Sequence, residues 1–145
     1  MFRAQPLLVA FRDDFRAAAA IEFAILVPVY VMLVTGMMAY GIYFGAAHSI
    51  QQIAADAART AIAGLTLTER NSLVGSFLDN NASGYVFIQR NDLTYAVGAK
   101  AGDPNEYTVT VNYNAAALPI WNLYVPLPLP SRTISYSSSI RIGGI

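Results

Sequence analysis

From Phe23 to Ala47 the chain reads FAILVPVYVMLVTGMMAYGIYFGAA, with no formally charged side chain. A helix needs about 20 apolar residues to cross the ~30 Å hydrocarbon core, so this stretch is long enough to span a bilayer. Pro28, Gly36, Gly41 and Gly45 lie within it. Such residues are tolerated better in a membrane helix than in a soluble one, and they predict a local bend and close helix packing. Arg3, Arg12 and Arg16 precede the span, whereas the first basic residue after it is Arg59. That bias directs the N-terminus to the cytoplasm and the remainder to the outside. The expected organisation is a basic leader over 1–17, a transmembrane helix over 18–47 and an exterior domain over 48–145. A removable secretory signal is the competing reading, with Gly45 and Ala47 as the small residues of a cleavage site, but its apolar core is usually only about 7–15 residues.

The rest of the composition mainly excludes. Nine basic and nine acidic side chains cancel, which leaves no positive field for nucleic acid. The absence of cysteine removes disulfides, thiolate metal sites and cysteine nucleophiles.

Past the span, Ile50, Ile53, Ala54, Ala57 and Ala61 recur at three- and four-residue spacing with Gln51, Gln52, Asp56 and Arg59 between them. The pattern extends the membrane helix as an amphipathic one, from about Ala18 to Ala63, and Gly64 is its natural end. The stripe should pack on a strand at Tyr107–Tyr113. Thr66-Leu67-Thr68-Glu69 has capping-box spacing and opens a second helix, Leu67–Leu78, which the Asp79–Gly84 stretch ends as a turn. The period then falls to two. Tyr107–Tyr113 and Ile134–Ile142 alternate apolar with polar residues, and Tyr85–Gln89 and Leu93–Val97 are shorter candidate strands, with a turn at Gly102–Asn105. An α+β fold follows, in which a long N-terminal helix leaves the membrane and joins a small antiparallel sheet. Pro119, Pro126, Pro128 and Pro130 make Leu118–Pro130 a stiff apolar loop that either covers the sheet or offers a partner surface.

The segment FRAAAAIEFAILVPVY, Phe15–Tyr30, resembles the N-terminus of TadE-like pseudopilins, minor pilin-like components of Tad (Flp, type IVb) pilus systems. In that family a basic leader ends at a small residue, followed by an alanine-rich stretch, a glutamate, an aromatic residue and an apolar run with a proline. Ala17, Ala18–Ile21, Glu22, Phe23 and Pro28 occupy the matching places. The resemblance implies a bacterial inner-membrane protein with a periplasmic domain, cut by a prepilin peptidase between Ala17 and Ala18 although the family usually has glycine where Ala17 stands. Its partners would be other pilin subunits and the assembly platform, with no cofactor and no small-molecule substrate. The alternative is an uncut, permanently anchored envelope protein whose outer domain binds a partner.

If the leader is removed, the new ammonium of Ala18 lies four residues before Glu22, on the same helix face, and the two can neutralise each other within one helix or between neighbours. Phe23, Pro28, Gly36, Gly41 and Gly45 are the candidate packing residues, Gly41 and Gly45 forming a Gly-xxx-Gly pair. Tyr40, Tyr43 and Phe44 read as an interfacial aromatic belt. His48, the only histidine, has no carboxylate nearby except Asp56 two turns on, which argues against an enzyme. No catalytic or metal site is expected. A weak calcium site at Asp79–Asn81 or Asp103–Glu106 is the one metal possibility, and neither segment has the spacing of an EF-hand loop.

Overall fold

The structure, a computed structural model, describes residues 15–100, 102–123 and 128–141. It is α+β: a long N-terminal helix, a shorter second helix and a three-stranded antiparallel sheet. Helix α1, Phe15–Ala61, has 47 residues and is therefore ~70 Å long. Arg3, Arg12 and the rest of the leader up to residue 14 lie outside the described residues.

The second half of α1 is helical for the reason its spacing implies. Ile50, Ile53, Ala54 and Ala57 are buried, while Gln51, Gln52 and Arg59 face solvent. The helix ends at Ala61, two residues before the expected Ala63, because the amides of Ile62, Ala63 and Gly64 turn back to carbonyls three residues earlier. Such tighter bonds close a last turn that has no further ladder partners. At Gly64 a Cβ would stand 2.7 Å from Arg70 Cγ and 2.8 Å from the Arg70 amide nitrogen, so only glycine lets the next helix start so close. That helix, α2, spans Leu67–Asn81. Thr66 Oγ1 accepts from the Glu69 amide at 3.2 Å, and Glu69 accepts from the amides of Leu65 and Thr66 at 2.8 and 3.1 Å. The expected end at Leu78 is corrected: the helix runs on through Asn81, and in the stretch that looked like a turn the Asn80 and Asn81 side chains donate Nδ2 to the Ser76 and Phe77 carbonyls four residues back.

Strands β1 (Leu93–Lys100), β2 (Asp103–Asn114) and β3 (Thr133–Arg141) form a meander in the order β1-β2-β3. Leu93, Val109, Val111, Tyr113 and Ile134 are buried on one face beneath α1, which lies over β2 and β3. On the wet face, hydroxyls pair across strands at Thr108–Ser139, 2.7 Å, and Thr110–Ser137, 2.8 Å. The expected turn at Gly102–Asn105 is tighter than its sequence implies. Lys100 pairs with Asp103 across it, Gly102 takes a φ of 92°, and Asp103 onward is already strand. The far end of β3, Ile142, lies outside the described residues.

Tyr85–Gln89 is not a strand. Phe87 has a φ of 62°, the left-handed region that interrupts any extended ladder, and the Ile88 amide bonds the Tyr85 carbonyl to close a turn. The β2–β3 connection covers the end of the core: Leu118 and Ile120 are buried, and the Trp121 indole donates to the Ala115 carbonyl at 2.6 Å. Residues 124–127 of that loop lie outside the described residues.

Candidate assembly helix

The first half of α1 has no domain around it. Phe23 is 70% exposed and Met37 75%, and Ile21, Ile25, Leu26, Tyr30, Leu33 and Val34 are exposed with them. An apolar surface of this extent marks a membrane or a partner, and α1 is the one helix among the described residues long and apolar enough to cross a bilayer. Its polar groups are settled locally. The Thr35 hydroxyl donates to the carbonyls of Val31 and Met32 at 2.8 and 3.1 Å, while Pro28, inside the helix, brings no N–H to the Ala24 carbonyl. Cover begins at Gly36 and Ala39, both buried, and the Tyr40 hydroxyl donates to the Pro128 carbonyl.

The candidate residues fall into different surroundings. Ala17 lies on the helical backbone, and Ala18 and Glu22 are both exposed one turn apart. Phe23 and Pro28 are exposed on the uncovered length, and Gly36 is buried. Gly41 has nothing within 4 Å of where a Cβ would lie, whereas Gly45 is met by the Phe87 ring at 3.2 Å. One member of the Gly-xxx-Gly pair is thus open, and the other already receives a side chain of its own domain. Phe44 bridges Tyr40 and Tyr43, with ring centroids at 6.0 and 6.1 Å.

Residues not singled out from the sequence hold the domain onto this helix. The Ser49 hydroxyl donates to the Val86 carbonyl and the Tyr113 hydroxyl to the Phe87 carbonyl, each at 3.0 Å. Asp56 accepts from Arg59 through one oxygen and from the Tyr85 hydroxyl through the other, both at 2.8 Å. Burial, followed by that hydrogen bond to a carboxylate, pushes the Tyr85 phenol up to about 12. Arg70, buried, stacks 3.8 Å over the Tyr107 ring and donates Nε to the Gly64 carbonyl at 2.8 Å, leaving Nη1 without a partner. An arginine in an amphipathic helix reads as a solvated charge, and the contact that buries this one is tertiary.

His48 touches Gln52 at 3.2 Å. The turn carboxylates considered for calcium are matched by cations: Asp79 with Arg90, Asp103 with Arg141 and Glu106 with Lys100, at 2.7, 3.1 and 2.8 Å. Among the described residues no group of three His, Cys, Asp or Glu side chains is placed to hold a metal.

A protein-family model for TadE-like protein matches residues 17–59, which is α1 from the expected cleavage position almost to its end. The chain therefore carries a TadE-like segment over less than a third of its length. No curated protein and no solved structure matches it.

Proposed function

We propose that the chain is a minor pilin or pseudopilin of a Tad-type (Flp, type IVb) pilus, acting by helix packing after its leader is removed, and not an enzyme. The observation that supports this best is a coincidence. The TadE-like match begins at Ala17 and covers the helix whose first half stands apolar and uncovered. In this reading the protein crosses the bacterial inner membrane once, N-terminus inside, with the sheet domain in the periplasm. A carboxylate is costly at the bilayer centre, so Glu22 marks the cytoplasmic edge. Thirty ångströms of hydrocarbon measured from there reach about residue 42, short of the Ala47 expected from charge alone.

Prepilin peptidase would cut between Ala17 and Ala18, and the new ammonium would pair with Glu22 of its own or a neighbouring helix. A buried charge left without its partner costs about 3–5 kcal/mol, so pairing selects the register of adjacent helices. Phe23, the Pro28 bend, Gly36 and open Gly41 would shape the packing face, with Gly45 contributing by seating Phe87.

Intact mass of the membrane-purified protein, with a piliation assay, tests the reading. The wild-type chain should lack Met1–Ala17; Ala17→Gly should be cut faster and Ala17→Leu not at all. Glu22→Gln should be inserted and cut, yet fail to assemble. An uncut wild-type chain together with a fully piliated Glu22→Gln strain would overturn the proposal and leave a permanently anchored, partner-binding envelope protein.

A further inference from the structure

We propose that the Val86–Phe87 turn and Phe44 form a lipid-contacting foot that rests in the outer-leaflet interface beside the domain's own anchor. The inference rests on the membrane reading of α1. Counted from Glu22, Phe44 and Gly45 stand ~33–35 Å along the helix, just beyond the ~30 Å hydrocarbon core and within the ~40–45 Å of the whole bilayer. The Phe87 ring is seated on Gly45, which places the turn at that height. There, Phe44 is 63% exposed, Val86 62% and Phe87 45%.

This tip is held, not loose. Phe87 takes a backbone conformation that bulky residues rarely adopt, fixed by the Ser49 and Tyr113 hydroxyls on the Val86 and Phe87 carbonyls. A scaffold that spends two hydrogen bonds to present two apolar side chains outward needs an apolar neighbour for them. Between the turn and residues 117–119 lies an open cleft of about 330 Å³, lined by Ser83 and Gln89 as well as Tyr85, Phe87, Tyr113 and Leu118, a mixed polar and apolar wall of the kind an interface suits.

The charges within the strands lie away from the foot. From Tyr107 to Ser131 the chain has no charged side chain, and within it Tyr113, Leu118 and Pro119 line the cleft beside the turn. By the sheet register Lys100, Asp103, Glu106 and Arg141 lie at the opposite end. Of the charges near the foot, Arg90 is paired with Asp79, Arg132 stacks on Trp121 with 4.9 Å to the ring centroid, and Asp92 precedes β1. The headgroup layer accommodates such groups, and aromatic side chains concentrate there. Lipid is the occupant favoured over a second copy, because the patch adjoins the anchor at a height where lipid already surrounds the helix.

The chain has no cysteine, so single spin labels can be placed cleanly on the full-length protein in phosphatidylethanolamine–phosphatidylglycerol vesicles. Labels at Met38→Cys, Val86→Cys and Leu65→Cys report the anchor, the foot and the distal tip, where Leu65 is 87% exposed. Collision with oxygen, which enters lipid, is compared with collision with a water-soluble nickel chelate. The expected oxygen-to-nickel ratio at Val86 is several-fold above that at Leu65 and approaches that at Met38. A water-like Val86 beside a lipid-like Met38 overturns the foot and leaves the anchor standing. A Val86 label shielded from both reagents means protein covers the tip and equally overturns it. A water-like Met38 removes the anchor itself, and the foot with it.

Discussion

Replacing Ile53 by alanine tests whether one continuous helix is held by two different solvents. Ile53 is fully buried between α1 and the sheet, and the substitution removes three carbons. At ~0.8 kcal/mol per buried methylene the transfer loss is ~2.4 kcal/mol. The unfilled cavity raises it into the ~2–5 kcal/mol range of such truncations, and about 3 kcal/mol is expected. For a domain of roughly 100 residues each kcal/mol moves the midpoint by about 4–8 °C, so Tm should fall by at least ~12 °C. Met37→Ala, on the same helix but 75% exposed, should change domain stability by less than ~0.5 kcal/mol. Near-ultraviolet circular dichroism of the full-length protein in detergent micelles, scanned with temperature, compares the two. An Ile53→Ala midpoint within ~3 °C of wild type, or equal shifts for both variants, would refute the division of α1 into a membrane half and a domain half.

Gly64→Ala should destabilise by about 1–3 kcal/mol, the usual cost of overpacking, because the new methyl meets the Arg70 backbone as well as its side chain; chemical denaturation gives the value, and an unchanged midpoint would mean the α1–α2 connection relaxes freely. Glu69 is held below its ordinary carboxylate range chiefly by the Leu65 and Thr66 amides. A depressed folded pKa contributes stability above the unfolded value, near pH 4.3, and loses it as pH falls through the folded one. Tm of the wild type should therefore drop below about pH 4 more steeply than that of Glu69→Gln, and parallel curves would show that the capping box adds nothing. Tyr85 has the opposite sign: with its phenol raised from 10.0 to about 12, its contribution is complete below pH ~10 and disappears as pH climbs toward ~12. Phenolate absorbance should show one late-ionising tyrosine fewer in Tyr85→Phe than in the wild type, where burial raises Tyr113 as well.

Much of the chain was legible because its signals were local and periodic. The uncharged run, the Ile50–Ala57 stripe and the alternation at Tyr107–Tyr113 each follow from one repeating geometry, and Thr66 with Glu69 forms a cap from side chains three residues apart. What could not be read depends on distant partners. Tyr85–Gln89 looks like a strand by composition, yet its carbonyls go to Ser49 and Tyr113, far away in sequence, and Phe87 turns out of the extended region to reach Gly45. Asp79–Asn81 looks like a helix stop, but the helix runs through it and the asparagine side chains donate to carbonyls one turn back. In the candidate site, Ala17, Ala18 and Glu22 were visible as a motif. That Gly45 meets its own domain while Gly41 stays open is a tertiary fact with no sequence signature.

Because α1 passes from the uncovered segment into the domain core without a joint, the protein has no hinge at the membrane surface. Tyr40 and Gly45 are fastened to the domain within a few residues of where cover begins, so a pull or twist applied to the lower helix reaches the sheet undamped. The one interruption in the ladder is at Pro28, well below the domain, and bending is confined to that depth. A displacement or rotation of the lower helix would therefore carry the sheet domain through the same distance and the same angle, in the manner of a key rather than a tethered float.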